Sequence, residues 1–145
     1  MIRSSTTKRG LLHRGQAMVE FAMIAVVAIL VLFLGIQFAL LGQAALAVSQ
    51  LAYQGARYAS INPTLSDAAV VTWMRGMASP TIANNNSSVL NITITSNASP
   101  RTFQQPVKVA VTLDPVAQKL ILLPNPFFGI SFGSKISSTQ SAMVD

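Results

Sequence analysis

The sequence predicts an α+β fold: a long N-terminal helix, a short second helix and a small antiparallel sheet of about three strands. Three observations lead there. No proline occurs before Pro63, and the stretch up to it is rich in Ala, Leu, Met and Gln, all good helix formers. After Pro80 the apolar residues alternate with polar ones, the period of a half-buried strand. Helical and strand patterns are segregated along the chain, which argues against a parallel α/β sheet.

Residues 1–15 read as a polar, basic leader with no apolar periodicity and no fixed structure. Residues 16 to about 60 read as one helix, about 65–70 Å long at the usual rise of 1.5 Å per residue. Its first half, Phe21 to Leu41, is apolar on every side apart from Gln37. About 20 such residues cross the hydrocarbon core of a bilayer. Gly35 is small enough for close helix contact, so Gly35 and Gln37 are the residues expected to serve helix packing in the membrane. The second half is amphipathic. Gln43, Gln50, Gln54 and Arg57 recur at spacings of 7, 4 and 3, which places them on one face as a candidate helix interface. Leu40, Ala44, Ala47, Leu51 and Tyr58 lie on the other.

Asn62-Pro63 ends this helix, because the residue before a proline is pushed out of the α region. A second helix is expected from about Ser66 to Ala78, with Ser66 or Thr64 as N-cap, Asp67 in the first turn and Arg75 in the last. Val70, Trp73, Met74 and Met77 form its apolar stripe, read as ordinary core packing. Leu90, Ile92 and Ile94 then mark one strand, and Val107, Val109, Val111 and Leu113 a second. A third, with poorer alternation, lies within Ile130 to Val144. The proline-broken apolar segment Leu120 to Gly129 either closes over the sheet or forms a contact patch. The domains are thus a leader at 1–15, a transmembrane and amphipathic helix at 16–60, and an extracytoplasmic α+β domain at 61–145.

Composition narrows the function. Only 10% of the 145 residues are charged and 51% are hydrophobic, with a mean hydropathy of +0.51, which does not describe a purely soluble globule. The net charge of +6 is unevenly placed: Arg3, Lys8, Arg9 and Arg14 precede the apolar run, and the later cations are scattered among acids. Such scatter is no electrostatic footprint for nucleic acid, and no nucleic-acid partner is expected. The basic leader instead orients the span, with the N-terminus cytoplasmic and the C-terminal domain outside. The lipid bilayer is the first partner implied.

There is no Cys, so the outer domain must hold together by packing. The only His is His13, in the leader, so no Ser–His or Cys–His pair can be built from residues 16–145. Metal ligands are not clustered and no Gly-rich phosphate loop occurs. No catalysis, metal or cofactor is expected. Asn85, Asn86, Asn91 and Asn97 each begin an N-x-[ST] match, a pattern that arises cheaply in an Asn/Ser/Thr-rich stretch.

One acid stands out. Glu20 opens the apolar run, where a carboxylate costs roughly 2.5–3.5 kcal/mol at the bilayer centre and less near its edge. Gly15 lies five residues before it. Arg14-Gly15 followed by Gln16-Ala17-Met18-Val19-Glu20-Phe21 resembles the processing site of type IV pilin-like precursors. With the apolar run and Gln54-Gly55-Ala56-Arg57-Tyr58-Ala59 behind it, the segment resembles the TadE-like pseudopilins of the tight-adherence (Tad/Flp) pilus branch. Leu122-Leu123-Pro124, Phe127-Phe128-Gly129-Ile130 and Ser141-Ala142-Met143 are loosely similar to that family's C-terminal half.

The resemblance implies a pseudopilin or minor pilin of the bacterial inner membrane, cut between Gly15 and Gln16 by a prepilin peptidase. Glu20 and Phe21 would then act in assembly and register. Its implied partners are the peptidase, other pilins or pseudopilins of the same system and the inner-membrane assembly platform. Gln16 stands where ordinary type IV pilins usually begin with Phe, so cleavage is implied but N-methylation is not. Cleavage would remove the leader cations and expose the α-amine of Gln16, a partner for Glu20 in its own or an adjacent subunit. Such pairing offsets part of the cost of desolvating the carboxylate.

Two other readings stay open. A signal peptide cut after Ala45-Leu46-Ala47 has an apolar run longer than the usual 7–15 residues of such segments and leaves Glu20 unexplained. A plain single-pass anchor, uncut at Gly15 and carrying an extracytoplasmic binding domain, treats Gly15 and Glu20 as coincidence.

Overall fold

The computed structural model describes residues 7–78 (side chains from Gly15 onward), 82, 86–96 and 100–144. The acceptor matches beginning at Asn85 and Asn97 lie outside the described residues. The element order is α1 (Thr7–Ile61), α2 (Asp67–Gly76), β1 (Leu90–Thr95), β2 (Pro106–Leu113) and β3 (Ile136–Met143). This is the expected α+β set. The chain divides into two compact units, Met1–Ile36 and Gln37–Asp145.

In the first unit α1 begins at Thr7, which corrects, for residues 7–15, the expectation of no fixed structure in the leader. Once a helix exists, extending it adds one hydrogen bond per residue fixed, and no proline stands in the way. From Phe21 to Ile36 nearly every large side chain faces outward, Phe21, Ile24, Val27, Val31 and Leu32 among them. Among the described residues, α1 is the one helix long and apolar enough to cross a membrane. Only 6% of its most apolar stretch is buried, whereas a core helix of a soluble protein would be mostly buried. A helix apolar all round needs an apolar surrounding.

The second unit starts at Gln37 and not at residue 61, because the later half of α1 supplies part of its core. Ala44, Ala47, Val48, Leu51, Ala52, Ala56 and Ala59 are buried together with the sheet residues Leu90, Ile92, Val107, Val109, Val111 and Leu113. Small side chains predominate on this face of the helix. At its C-terminus the Asn62 side-chain amide donates to Tyr58 O at 3.0 Å, satisfying a carbonyl that the ended helix leaves free.

α2 is shorter than expected. Ser66 is its N-cap and accepts from Ala69 N–H at 3.3 Å. Val70 and Met74 are buried, and Trp73 stacks on Tyr58 of α1 with ring centroids 4.0 Å apart. Met77, expected on the buried stripe, is instead 53% exposed; the helix ends at Gly76 and Met77 is its C-cap, past Met74, the last buried residue of the helix.

The sheet is an antiparallel meander of order β1-β2-β3. Its register sets Ile92 opposite Val111 and Val111 opposite Ser138, so apolar positions of β1 and β2 share the inner face. β3 is half-buried at alternate positions, and its Ser138 hydroxyl meets that of Ser49 on α1 at 3.3 Å. Polar residues at inner positions explain the weak alternation of this strand in the sequence.

Candidate processing segment and loop clamp

Gly15, Gln16, Glu20 and Phe21 follow one another on α1 in the first unit, and all are exposed. Nothing approaches within 4 Å of where a Cβ on Gly15 would sit, so the glycine is not required by packing inside this chain. Gln16 and Glu20 are one turn apart and share a helix face, since residues four apart are neighbours there. A positive charge at position 16 would therefore stand beside the Glu20 carboxylate. Gly35 is likewise exposed and open on all sides.

In the second unit, Gln43, Gln50, Gln54 and Arg57 are all exposed along α1, on the side away from the buried Ala/Val/Leu face. Gln54 and Arg57 border the Tyr58–Trp73 stack in a shallow apolar depression that Ile61 completes. Gly15 and Glu20 belong to the other unit.

Gln37 has a different setting from the one its place in the apolar run suggests. It is fully buried in the second unit. Its amide donates from Nε2 to Leu120 O at 3.2 Å and accepts at Oε1 from Leu122 N–H at 2.8 Å. The side chain thus pairs with the loop backbone much as a neighbouring strand would. One residue on, Phe38 meets the buried Phe132 edge to face, with centroids 5.8 Å apart.

Beyond this clamp the loop divides between core and solvent. Leu120 packs against the core, while Leu122, Phe128 and Ile130 are exposed. Phe127 and Ile130 exchange two backbone hydrogen bonds, of 3.0 and 2.9 Å, around Phe128 and Gly129. Both central residues have positive φ, +48° and +79°, which makes this a two-residue hairpin turn of the I′ kind. Asn or Gly ordinarily occupies the first central position. A left-handed Phe costs on the order of 1–2 kcal/mol.

Sequence reasoning passed over Arg101, a buried cation. Its guanidinium donates to Asn62 O and Leu65 O at 3.3 and 2.9 Å and pairs with the Asp67 carboxylate. It lies in a polar stretch with no periodicity, so no local signal could have found it.

The family described as TadE-like protein matches residues 15–57. That segment begins at Gly15 and ends at Arg57. The chain is TadE-like over it. The TadE-like segment ties the chain to the Tad pilus system and implies other proteins of that system as its partners. Together with the apolar helix it describes a membrane-anchored protein. The sheet, α2 and the clamped loop lie beyond the TadE-like match. No curated protein and no solved structure matches the chain.

Proposed function

We propose that this chain is a prepilin-peptidase substrate that, once cut after Gly15, serves as a pseudopilin or minor pilin in assembling a Tad pilus. The observation that carries the reading is the Gly15–Glu20 spacing at the start of the apolar helix, inside the TadE-like match. Gly10 and Gly15 support it further. Each Gly weakens a helix by about 1 kcal/mol relative to Ala, so this part of α1 unwinds cheaply for a peptidase that needs extended substrate. The leader stays cytoplasmic and the C-terminal α+β domain stands on the extracytoplasmic side. After cleavage the new α-amine of Gln16 pairs with Glu20, within one subunit or between two, and the pairing sets axial register. The role is structural; no catalytic step is assigned to the chain.

Intact mass tests this directly. Co-expression with a prepilin peptidase should remove residues 1–15, and Gly15→Ala should block the loss. Full-length mass under those conditions would sink the proposal in favour of an uncut single-pass anchor. Glu20→Ala should still be processed and inserted but fail to support pili. Normal piliation in that variant would remove Glu20 as the register device.

A further inference from the structure

We propose that the tip of the Leu120–Ile130 loop inserts into the extracytoplasmic leaflet of the same bilayer that α1 crosses. The inference rests on α1 being a membrane span but not on cleavage at Gly15.

Depth is set by Gln37. The apolar run starts at Phe21 and ends at Leu41, so Gln37 lies in its last turn. A span of about 20 residues counted from Phe21 ends at that turn, where hydrocarbon gives way to headgroups. The loop backbone is bound to this residue through Leu120 O and Leu122 N–H, and the Phe38–Phe132 contact holds the segment just after the loop against the next residue of α1. The loop is therefore held at the membrane end of the second unit, the end opposite Ile61.

What the loop presents at that level is apolar. Phe128 is 82% exposed, Leu122 55% and Ile130 50%. Single exposed apolar residues are ordinary, but three large ones within one short loop, two of them at its turn, are apolar surface that calls for cover. The I′ turn adds an independent sign, since Phe128 occupies a left-handed position that Asn or Gly would fill without strain. Strain retained at an exposed aromatic fits a side chain kept for what it contacts. Lys119 and Lys135, both exposed, flank the loop, placed as cations are at an interface with anionic headgroups. The bilayer is the occupant that the apolar span leads into without a break.

The absence of Cys permits a clean test on the full chain reconstituted in phosphatidylethanolamine–phosphatidylglycerol vesicles. Single cysteines replace Ile130, Ile29 and Thr93 in turn, each carrying an environment-sensitive fluorophore. The label at 130 should be quenched by nitroxide lipids about 5–10 Å below the headgroups and shielded from aqueous iodide. The label at 29 should respond to deep nitroxides, and that at 93, an exposed position of β1, to iodide alone. Adding Phe128→Asn, which keeps the turn, should leave the thermal midpoint unchanged or raised and expose the 130 label to iodide. Iodide access at 130 with 29 still in lipid would overturn the loop assignment while leaving the span intact. Iodide access at 29 would overturn both. Shielding from both quenchers with cross-links between copies would assign the tip to a second copy of this chain. Unchanged shielding in Phe128→Asn would also overturn it.

Discussion

Gln37 shows how one side chain can have two meanings. In the sequence it is a polar interruption of an apolar run; in the fold its amide is fully buried and both ends are paired with backbone. A buried polar group deprived of its partner costs about 1–3 kcal/mol. Gln37→Leu strands Leu120 O and Leu122 N–H together. Thermal unfolding of the full chain in detergent should show a midpoint lower by on the order of 5–10 °C, given the usual scaling for a domain of this size. An unchanged midpoint would mean that the amide does not hold the loop. Phe128 makes the complementary point: an aromatic before glycine looks like ordinary apolar sequence until its φ and exposure are known.

At the scale of elements, local periodicity explains most of what could be anticipated. The strands at Leu90–Thr95 and Pro106–Leu113 follow their alternation, and the long helix follows its freedom from proline. β3 was the weakest of the three because its inner positions include Ser138 and Gln140, set opposite Val111 and Val109. The contact between helices is less visible. Gly55 faces α2, and a Cβ there would overlap the Met74 thioether. Gly55→Ala gains about 1 kcal/mol of helix propensity, but overpacking of a filled core typically costs about 1–3 kcal/mol. The net expectation is a modest loss of stability. In a Met74→Ala background the sign should reverse, and a double-mutant cycle by thermal shift reads the coupling. Additive effects would show that α2 yields to the methyl group.

At the scale of the whole molecule, two kinds of order share one chain. Over its described residues the first unit is a bare helix suited to lipid, and the second is an α+β unit whose core takes in the later half of the same helix. Arg101 joins three parts of the second unit: the end of α1 through Asn62, the connection through Leu65, and the start of α2 through Asp67. Asp67 is 48% exposed, so solvent screens that ion pair and its share is small. The buried bonds to carbonyl oxygens carry more, about 1.5–3 kcal/mol as hydrogen bonds from a charged donor. Arg101→Met should lower the midpoint by several degrees in detergent, and Arg101→Lys should recover only part, because an ammonium cannot reproduce the guanidinium fork. A stable Arg101→Met protein would show that the three parts hold without it.

Fold class, the membrane run, the strand positions and the Gly15–Glu20 pattern were legible from the amino acids alone. Each depends on residues at most a few turns apart, where periodicity and spacing carry the information. The clamp on Gln37 joins residues 83 and 85 positions apart, and the Arg101 contacts span 34 to 39. No local pattern names such partners. Only packing of α1 against the sheet placed Gln37 under the loop, moved the start of the second unit into the helix and left Phe128 facing outward. The tertiary structure decided these because a buried hydrogen bond is chosen by whatever polar group the folded chain brings within reach.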